Sequence, residues 1–203
     1  MMPKFIKKLL LEKYNDCFDT LKEVAKDDHD KNNIIYPIES SIKVLNFDSK
    51  LAEKLYRIER LSSVDTLDIQ NNTINLIEFK NGGIKSPDLR LKGSESFIVL
   101  YKLLKENKIL EKYSEIFQYK FNYYIVLNNS VQKNQKYLKS TENYINRERL
   151  NIGSQIAELC PNYKGIYFEK IKVLSFDQFQ EYYLEKYYGD GTVSKEIVEV
   201  LTR

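Results

Sequence analysis

The chain has 203 residues, of which 42% are apolar, and 32 basic against 29 acidic residues give a formal charge of +3. A chain of this length and apolar content can bury one sizeable core, so a single domain over residues 1–203 is expected. The small net charge neither requires nor excludes a nucleic-acid partner, because local patches matter more than the total. Two isolated cysteines, Cys17 and Cys160, argue against a disulfide framework and a cysteine-zinc site, and they favour a reducing compartment.

The sequence carries no pattern typical of membrane insertion or export. The apolar run Leu9 to Leu11 is followed at once by Glu12 and Lys13, so it is too short for a signal peptide. No segment approaches 18 apolar residues in a row, and a membrane-spanning helix is therefore not expected. These features predict a cytoplasmic protein with no membrane partner.

Apolar residues at spacings of three and four predict three helical segments in the first third of the chain. The first is expected within residues 4–26, the second from Pro37 onward, and the third over residues 49–60 with Asp48 or Ser49 as the N-cap. A polar loop is expected between the first two, over residues 26–33. The three apolar stripes consist of Leu10, Tyr14, Cys17, Leu21 and Val24, then Ile38, Ile42 and Leu45, then Leu51, Leu55 and Ile58.

Residues 64–82 are typical of a β-hairpin. Asn71-Asn72 suits the tight turn, because Asn tolerates the left-handed backbone that short hairpin loops need. If those two residues form the loop, Asp65 lies directly opposite Glu78, and strand alternation returns Lys80 to the same face. Asp68 falls on the opposite face, where it is expected as a turn-side or surface residue.

The rest of the chain alternates between strand and helix patterns. A basic loop with Lys85, Arg90 and Lys92 is expected after the hairpin, and Ser94 is expected to cap the next helix. Strands are expected at 123–127 and 166–174, a basic helix at 132–150, and a last helix from Ser175 to Tyr188. This order predicts an α/β fold with a mixed central β-sheet flanked by helices. The hexapeptides KVLNFD (43–48) and KVLSFD (172–177) are too short to establish a repeat, and two similar local solutions or chance would explain them.

The predicted hairpin brings Asp65, Glu78 and Lys80 close together on one face. Two carboxylates a few ångströms apart resist joint ionisation, and a divalent cation such as Mg²⁺ or Mn²⁺ relieves that repulsion. A metal held by Asp65 and Glu78 can acidify a water molecule and neutralise charge on a phosphodiester. Lys80 is then placed to orient the attacking water or to stabilise the developing charge.

Asp65, Glu78 and Lys80, with the apolar lead-in Leu76-Ile77, resemble the motif of the PD-(D/E)XK nuclease superfamily. The resemblance covers about residues 37–130 and implies a restriction-endonuclease-like core, with an N-terminal helix and a C-terminal strand and helix as additions. It also implies a metal-dependent nuclease acting on nucleic acid, most often DNA, with the backbone carbonyl of Phe79 as a further metal ligand. The chain departs from the pattern in having no proline before Asp65, since Pro87-Asp88 follows the motif instead of preceding it.

Members of this superfamily often use an additional upstream glutamate, and two positions compete for it here. Glu59 lies only six residues before Asp65, which leaves no room for an intervening strand, so Glu39 is preferred. Lys85, Arg90 and Lys92 are candidates for contacts with the nucleic-acid backbone, against the alternative of an ordinary solvated loop. The basic segment 132–150 is better explained as a solvated helix face than as a binding surface.

Two other function classes remain beside the nuclease. The same fold without turnover would act as a DNA-binding, protein-binding or regulatory module, and an unrelated α/β protein would use Glu78 and Lys80 as a surface ion pair. Double-strand cutting would favour a homodimer, although no sequence feature establishes one. The only histidine, His29, lies in the polar stretch DDHD and is interpreted as part of a turn.

Overall fold

A computed structural model describes residues 2–32, 34–56, 61–70, 73–82, 86–128 and 167–189. Six strands form one sheet: β1 Phe18–Thr20, β2 Lys43–Asn46, β3 Thr66–Gln70, β4 Thr73–Lys80, β5 Lys120–Leu127 and β6 Lys170–Ser175. The helices are α1 Met2–Lys13, α2 Leu21–Val24, α3 (a π-helical stretch Phe47–Ala52 continued by Glu53–Leu55), α4 Ser86–Glu106 and α5 (Phe176–Phe179, a π-helical stretch Gln180–Leu184, and Glu185–Tyr188). Short 3₁₀ turns lie at Asn15–Cys17 and Tyr113–Gln118.

The strands lie in the sheet in the order in which they occur in the chain. Neighbours from β1 to β4 are antiparallel, whereas β4, β5 and β6 are parallel. Parallel neighbours need a crossover connection, and α4 is the helix between β4 and β5. The mixed sheet flanked by helices is therefore confirmed. Both ends of the chain contribute to it, through β1 and β6, although they lie outside residues 37–130.

Apolar side chains cover both faces of the sheet and form two cores. On the first face, α1, α3 and α4 pack against the odd-numbered residues of β3 and the even-numbered residues of β4, with a core that includes Ile6, Leu51, Phe97, Leu76 and Ile125. On the second face, α2 and α5 pack against the alternate residues, with a core that includes Leu21, Ile77, Phe79, Val126 and Phe179. Successive residues of a strand point to opposite faces of the sheet and therefore belong to different cores. Among the described residues, no helix is long and apolar enough to cross a membrane.

The helix predicted from Pro37 through Leu45 is wrong. Residues 37–42 form no helix, and Lys43–Asn46 is strand β2. The apolar stripe was a coincidence of spacing, because Ile38 and Ile42 belong to the second core while Leu45 belongs to the first. The prediction of one helix over residues 4–26 fails for the same reason: α1 ends at Lys13, and the chain then crosses the sheet edge through β1.

The helix after the hairpin begins earlier than the sequence indicated. Arg90 and Lys92 lie on α4 and not in a loop, and Ser94 is inside that helix instead of capping it. Gly93 lies inside this helix, although glycine is unfavourable within helices. Here glycine permits close packing, because a Cβ atom at this position would lie 3.3 Å from the Tyr123 ring and 3.6 Å from the Phe168 ring.

The two similar hexapeptides are two instances of one local solution. Each runs from a strand into a helix, and each carries a polar residue that caps that helix. Asn46 accepts a hydrogen bond from the Ser49 backbone at 3.1 Å, so it takes the capping role predicted for Asp48 or Ser49. Ser175 accepts one from the Gln178 backbone at 3.1 Å, and the predicted strand and helix on either side of it are present as β6 and α5.

Candidate active site at the end of β4

The candidate site lies where β4 reaches its carboxyl end beside the start of β3. The pairing of Gln70 with Thr73 leaves two residues for the hairpin loop, and Thr66 pairs with Ile77. The predicted register is therefore confirmed, although Asn71 and Asn72 themselves lie outside the described residues. Asp65 directly precedes β3, and this register places it beside Glu78.

The Asp65 side chain makes the last hydrogen bond between the two strands of the hairpin. Its Oδ2 atom accepts a hydrogen bond from the Phe79 backbone N–H at 2.6 Å, in a position where β3 no longer supplies a carbonyl. Its Oδ1 atom lies 3.3 Å from the Lys92 Nζ atom. The Asp65 backbone carbonyl accepts a hydrogen bond from Phe47 at 3.0 Å, which ties this position to the end of β2.

Glu78 is a fully buried carboxylate between two lysines. Its Oε1 atom lies 2.7 Å from Lys80 Nζ and 2.8 Å from Lys92 Nζ, and its Oε2 atom accepts a hydrogen bond from Lys92 at 2.9 Å. Oε1 therefore has an ammonium group on two sides, which compensates its charge inside the protein. Burial, reinforced by the nearby charge of Asp65, raises the pKa of Glu78 to about 8, and the two lysines offset only part of that shift.

Lys92 contacts both acids, which the sequence did not indicate. It was predicted as a backbone-contacting cation in a loop, but α4 directs its side chain down onto both carboxylates, where it is 17% exposed. Burial lowers the pKa of Lys92, yet the charges of Asp65 and Glu78 outweigh that effect and raise it overall. The number of residues between the motif and Lys92 does not predict its contact with the acids, because that contact depends on how α4 crosses the sheet.

The segment before Asp65 is fastened to α4 and α3 by buried polar contacts. Ser96 Oγ donates to the Lys92 carbonyl at 2.7 Å and accepts from the Val64 backbone at 3.0 Å, so one hydroxyl joins the segment that carries Asp65 to the helix turn that carries Lys92. Ser63 donates to Asp48 at 2.8 Å, and Ser62 donates its backbone N–H to Glu95. These contacts fix the acid and the lysine relative to one another.

The site opens into a cleft of about 310 Å³. Asp65, Lys80 and Lys92 line this cleft together with the turn that contains His29. The polar turn predicted there is present, because Asp27 accepts a hydrogen bond from the His29 backbone at 3.2 Å. Its position in the cleft wall was not predicted. The remaining lining residues are Val24, Lys26, Asp27, Asp28, Phe79, Asn81 and Gly82.

Other predicted site residues lie elsewhere. Glu39 pairs with Lys22 at 2.8 Å and is 69% exposed, and the structure does not bring it to the Asp65–Glu78 pair. Arg90 lies half-buried on α4. Glu59, Lys85 and the segment 132–150 fall outside the described residues.

Asp68 lies on the opposite face from Glu78, as predicted, but it is buried there instead of lying at the surface. It is 9% exposed and accepts a hydrogen bond from the Tyr183 hydroxyl at 2.8 Å. A second cavity, of about 340 Å³, includes Asp68 in its lining together with residues of α1 and β2. None of the residues predicted for the nuclease-like site lines that cavity.

The oxygen atoms that come together at the end of β4 belong to two carboxylates and one backbone carbonyl. Asp65 Oδ1 and the nearer Glu78 oxygens lie within 3.3 Å of one nitrogen atom, so at most about 6 Å separates them. The Lys80 carbonyl accepts a bond from Asn128 beyond β5, and strand alternation therefore directs the Phe79 carbonyl to the opposite side, where Asp65 lies. Two carboxylates and a carbonyl are oxygen ligands of the kind that Mg²⁺ uses. Within the described ranges, no group of three or more His, Cys, Asp or Glu side chains could hold a metal.

Comparisons with protein-family models, curated proteins and solved structures found no match to this chain. The site is therefore interpreted from its own geometry.

The raised pKa of Glu78 predicts a pH-dependent stability. Between about pH 4.5 and pH 8 the folded protein keeps a proton that the unfolded chain has released, so the free energy of unfolding falls as pH rises. The slope in this window should approach about 1 kcal/mol per pH unit and vanish above it. Denaturant unfolding of wild type and Glu78→Gln at pH 5, 6.5 and 8 measures it, with a shallower fall expected for the variant. Equal slopes in the two proteins would contradict the assignment.

Ser96→Ala should destabilise the fold by about 1–3 kcal/mol, because it leaves the buried Val64 N–H without an acceptor. Ser94→Ala is the matched control on the same helix. Among the described residues its hydroxyl bonds only the Leu91 carbonyl, within α4, and its loss should change stability by less than about 0.5 kcal/mol. Urea unfolding of both variants tests the difference, and equal effects would show that the Ser96 cross-link contributes nothing beyond a local helix bond.

Proposed function

We propose that this protein is a metal-dependent nuclease that hydrolyses phosphodiester bonds in nucleic acid, with DNA as the favoured substrate. The observation that carries the proposal is the convergence of Asp65, Glu78, Lys80 and Lys92 at one strand end beside an open cleft. Ligand sites of open α/β sheets lie outside the carboxyl ends of their strands, and this site has that position. The preference for DNA rests on the resemblance to PD-(D/E)XK nucleases.

Asp65 and Glu78 would hold Mg²⁺ or Mn²⁺ together with the Phe79 carbonyl. When bound, such an ion supplies a Lewis acid that acidifies water and neutralises charge on the phosphodiester. The Phe79 N–H holds the Asp65 carboxylate in one orientation through Oδ2, which leaves Oδ1 directed toward Glu78 and Lys92. The full burial of Glu78 keeps bulk water from competing for its oxygens.

We assign to Lys80 the role of orienting the attacking water. Its ammonium lies 2.7 Å from Glu78 and its side chain is 24% exposed on the wall of the cleft, so it reaches both the acid and the solvent. A cation at this point orients a nucleophile and stabilises negative charge that develops on the phosphate. Lys26 and Lys92 line the same cleft, where Asp27 and Asp28 balance part of their positive charge.

A catalytically inactive binding or regulatory module is the second candidate. It is favoured by the charge balance of the site, in which two lysines face two carboxylates and compensate them without a metal ion. Such a module would bind nucleic acid or a protein partner equally well in EDTA, and it would retain binding after loss of Asp65. The nuclease requires the opposite dependence.

Asp65→Asn and Lys80→Met should each reduce cleavage at least 100-fold, because the first weakens the cation site and the second removes the charge beside the water. The measurement is cleavage of labelled single-stranded DNA, duplex DNA and RNA with Mg²⁺ or Mn²⁺, with an EDTA blank. Both variants should keep the wild-type circular dichroism spectrum.

Matched controls come from exposed ion pairs away from the site. Glu39→Gln disrupts the pair with Lys22, and Lys120→Met disrupts the pair with Glu169 at the start of β5; both should cleave like wild type. The nuclease proposal fails if the wild-type protein cuts none of the three substrates with either metal, or if Asp65→Asn cuts as fast as wild type.

A further inference from the structure

The Lys92 ammonium occupies the point between the two carboxylates. Its nitrogen lies 2.8 and 2.9 Å from the two Glu78 oxygens and 3.3 Å from Asp65 Oδ1. A divalent cation shared by these acids would have to contact the same oxygens from the same side. The ammonium and the metal ion therefore need one position, and their like charges exclude each other at such short range.

We propose that Lys92 is a built-in counter-ion that holds the metal-free site together and leaves it when a divalent cation binds. This inference rests on the proposed function only in requiring that the site take a cation, and it does not require turnover. Two adjacent carboxylates without a cation are unfavourable, and Lys92 supplies that cation from within the chain. The divalent ion thus binds by exchange with an ammonium.

The surroundings of Lys92 allow its side chain to move while its backbone stays in place. Ser96 holds the Lys92 carbonyl, and Gly93 lets this turn of α4 lie close to the Tyr123 ring. The side chain itself borders the cleft and has a flexible four-carbon stem. Displaced from the acids, the ammonium would enter the cleft, where a phosphate group of a substrate would lie.

Lys80 contacts fewer carboxylate oxygens than Lys92 does. Its ammonium contacts only Oε1 of Glu78, and no contact with Asp65 is present among the described residues. It therefore lies beside the shared cation position instead of in it. Exchange with a metal ion should involve Lys92 far more than Lys80.

The first test measures Mg²⁺ affinity by isothermal titration calorimetry in one buffer for all variants. Lys92→Met keeps the length of the side chain and removes its charge, so it should bind Mg²⁺ at least tenfold more tightly than wild type. Lys80→Met should gain less, and Lys120→Met should match wild type. Equal or weaker binding by Lys92→Met overturns the proposal, as does an absence of binding in both wild type and Lys92→Met.

The second test uses the unaltered protein, so it does not depend on the folding of a variant. Brief acetylation with limiting reagent, read by peptide mass spectrometry, reports how accessible each lysine amine is. Saturating Mg²⁺ should increase acetylation of Lys92 several-fold relative to Lys120, whose partner Glu169 is exposed. Unchanged or reduced acetylation of Lys92 overturns the proposal. If Lys92 responds in both tests while no nucleic acid is cut, the exchange stands and the nuclease assignment falls.

Discussion

The fully buried carboxylate of Glu78 is the constraint on which the site depends. A charge removed from water at the end of a central strand is costly unless other groups compensate it. Lys80 reaches it from two positions along β4, and Lys92 reaches it from α4 across the first face of the sheet. Even with both ammonium groups present, the pKa of Glu78 remains near 8, so the compensation is partial. A residue with this environment is costly to stability, and such positions cluster where proteins carry out chemistry.

The position of α4 follows from the same constraint. For Lys92 to reach Glu78, the helix must lie low over β4 and β5, and Gly93 provides the space against Tyr123. The Tyr123 hydroxyl donates to the Leu89 carbonyl at 3.1 Å, which holds the first turns of the helix on β5. Ser96 then links this helix to the segment preceding Asp65. The contacts that pack α4 against the sheet therefore also place Lys92 beside the two acids.

The hairpin could be predicted from sequence because its geometry is local. A two-residue loop sets the register of every pair behind it, so Asp65 could be chosen over Asp68 as the neighbour of Glu78. Lys92 could not be predicted in its role, because its contact with the acids is set by tertiary packing of α4. Sequence alone does not distinguish a glycine that breaks a helix from one that, like Gly93, permits close packing within it. The helix predicted from the apolar stripe through Ile38 and Leu45 was wrong for a similar reason, because spacing alone does not tell which face of a sheet each residue covers.

Asp65 has two structural roles that hold its carboxylate in place beside Glu78. β3 begins at Thr66 while β4 continues to Lys80, so the Phe79 N–H would lack a ladder partner without the Asp65 side chain. The carboxylate replaces that missing strand carbonyl through one oxygen and presents the other to Lys92. Glu78 is equally fixed, because it belongs to a strand paired on both sides. A change in what the site holds must therefore be accommodated by the flexible lysine stems, and of the two it is Lys92 that contacts both acids.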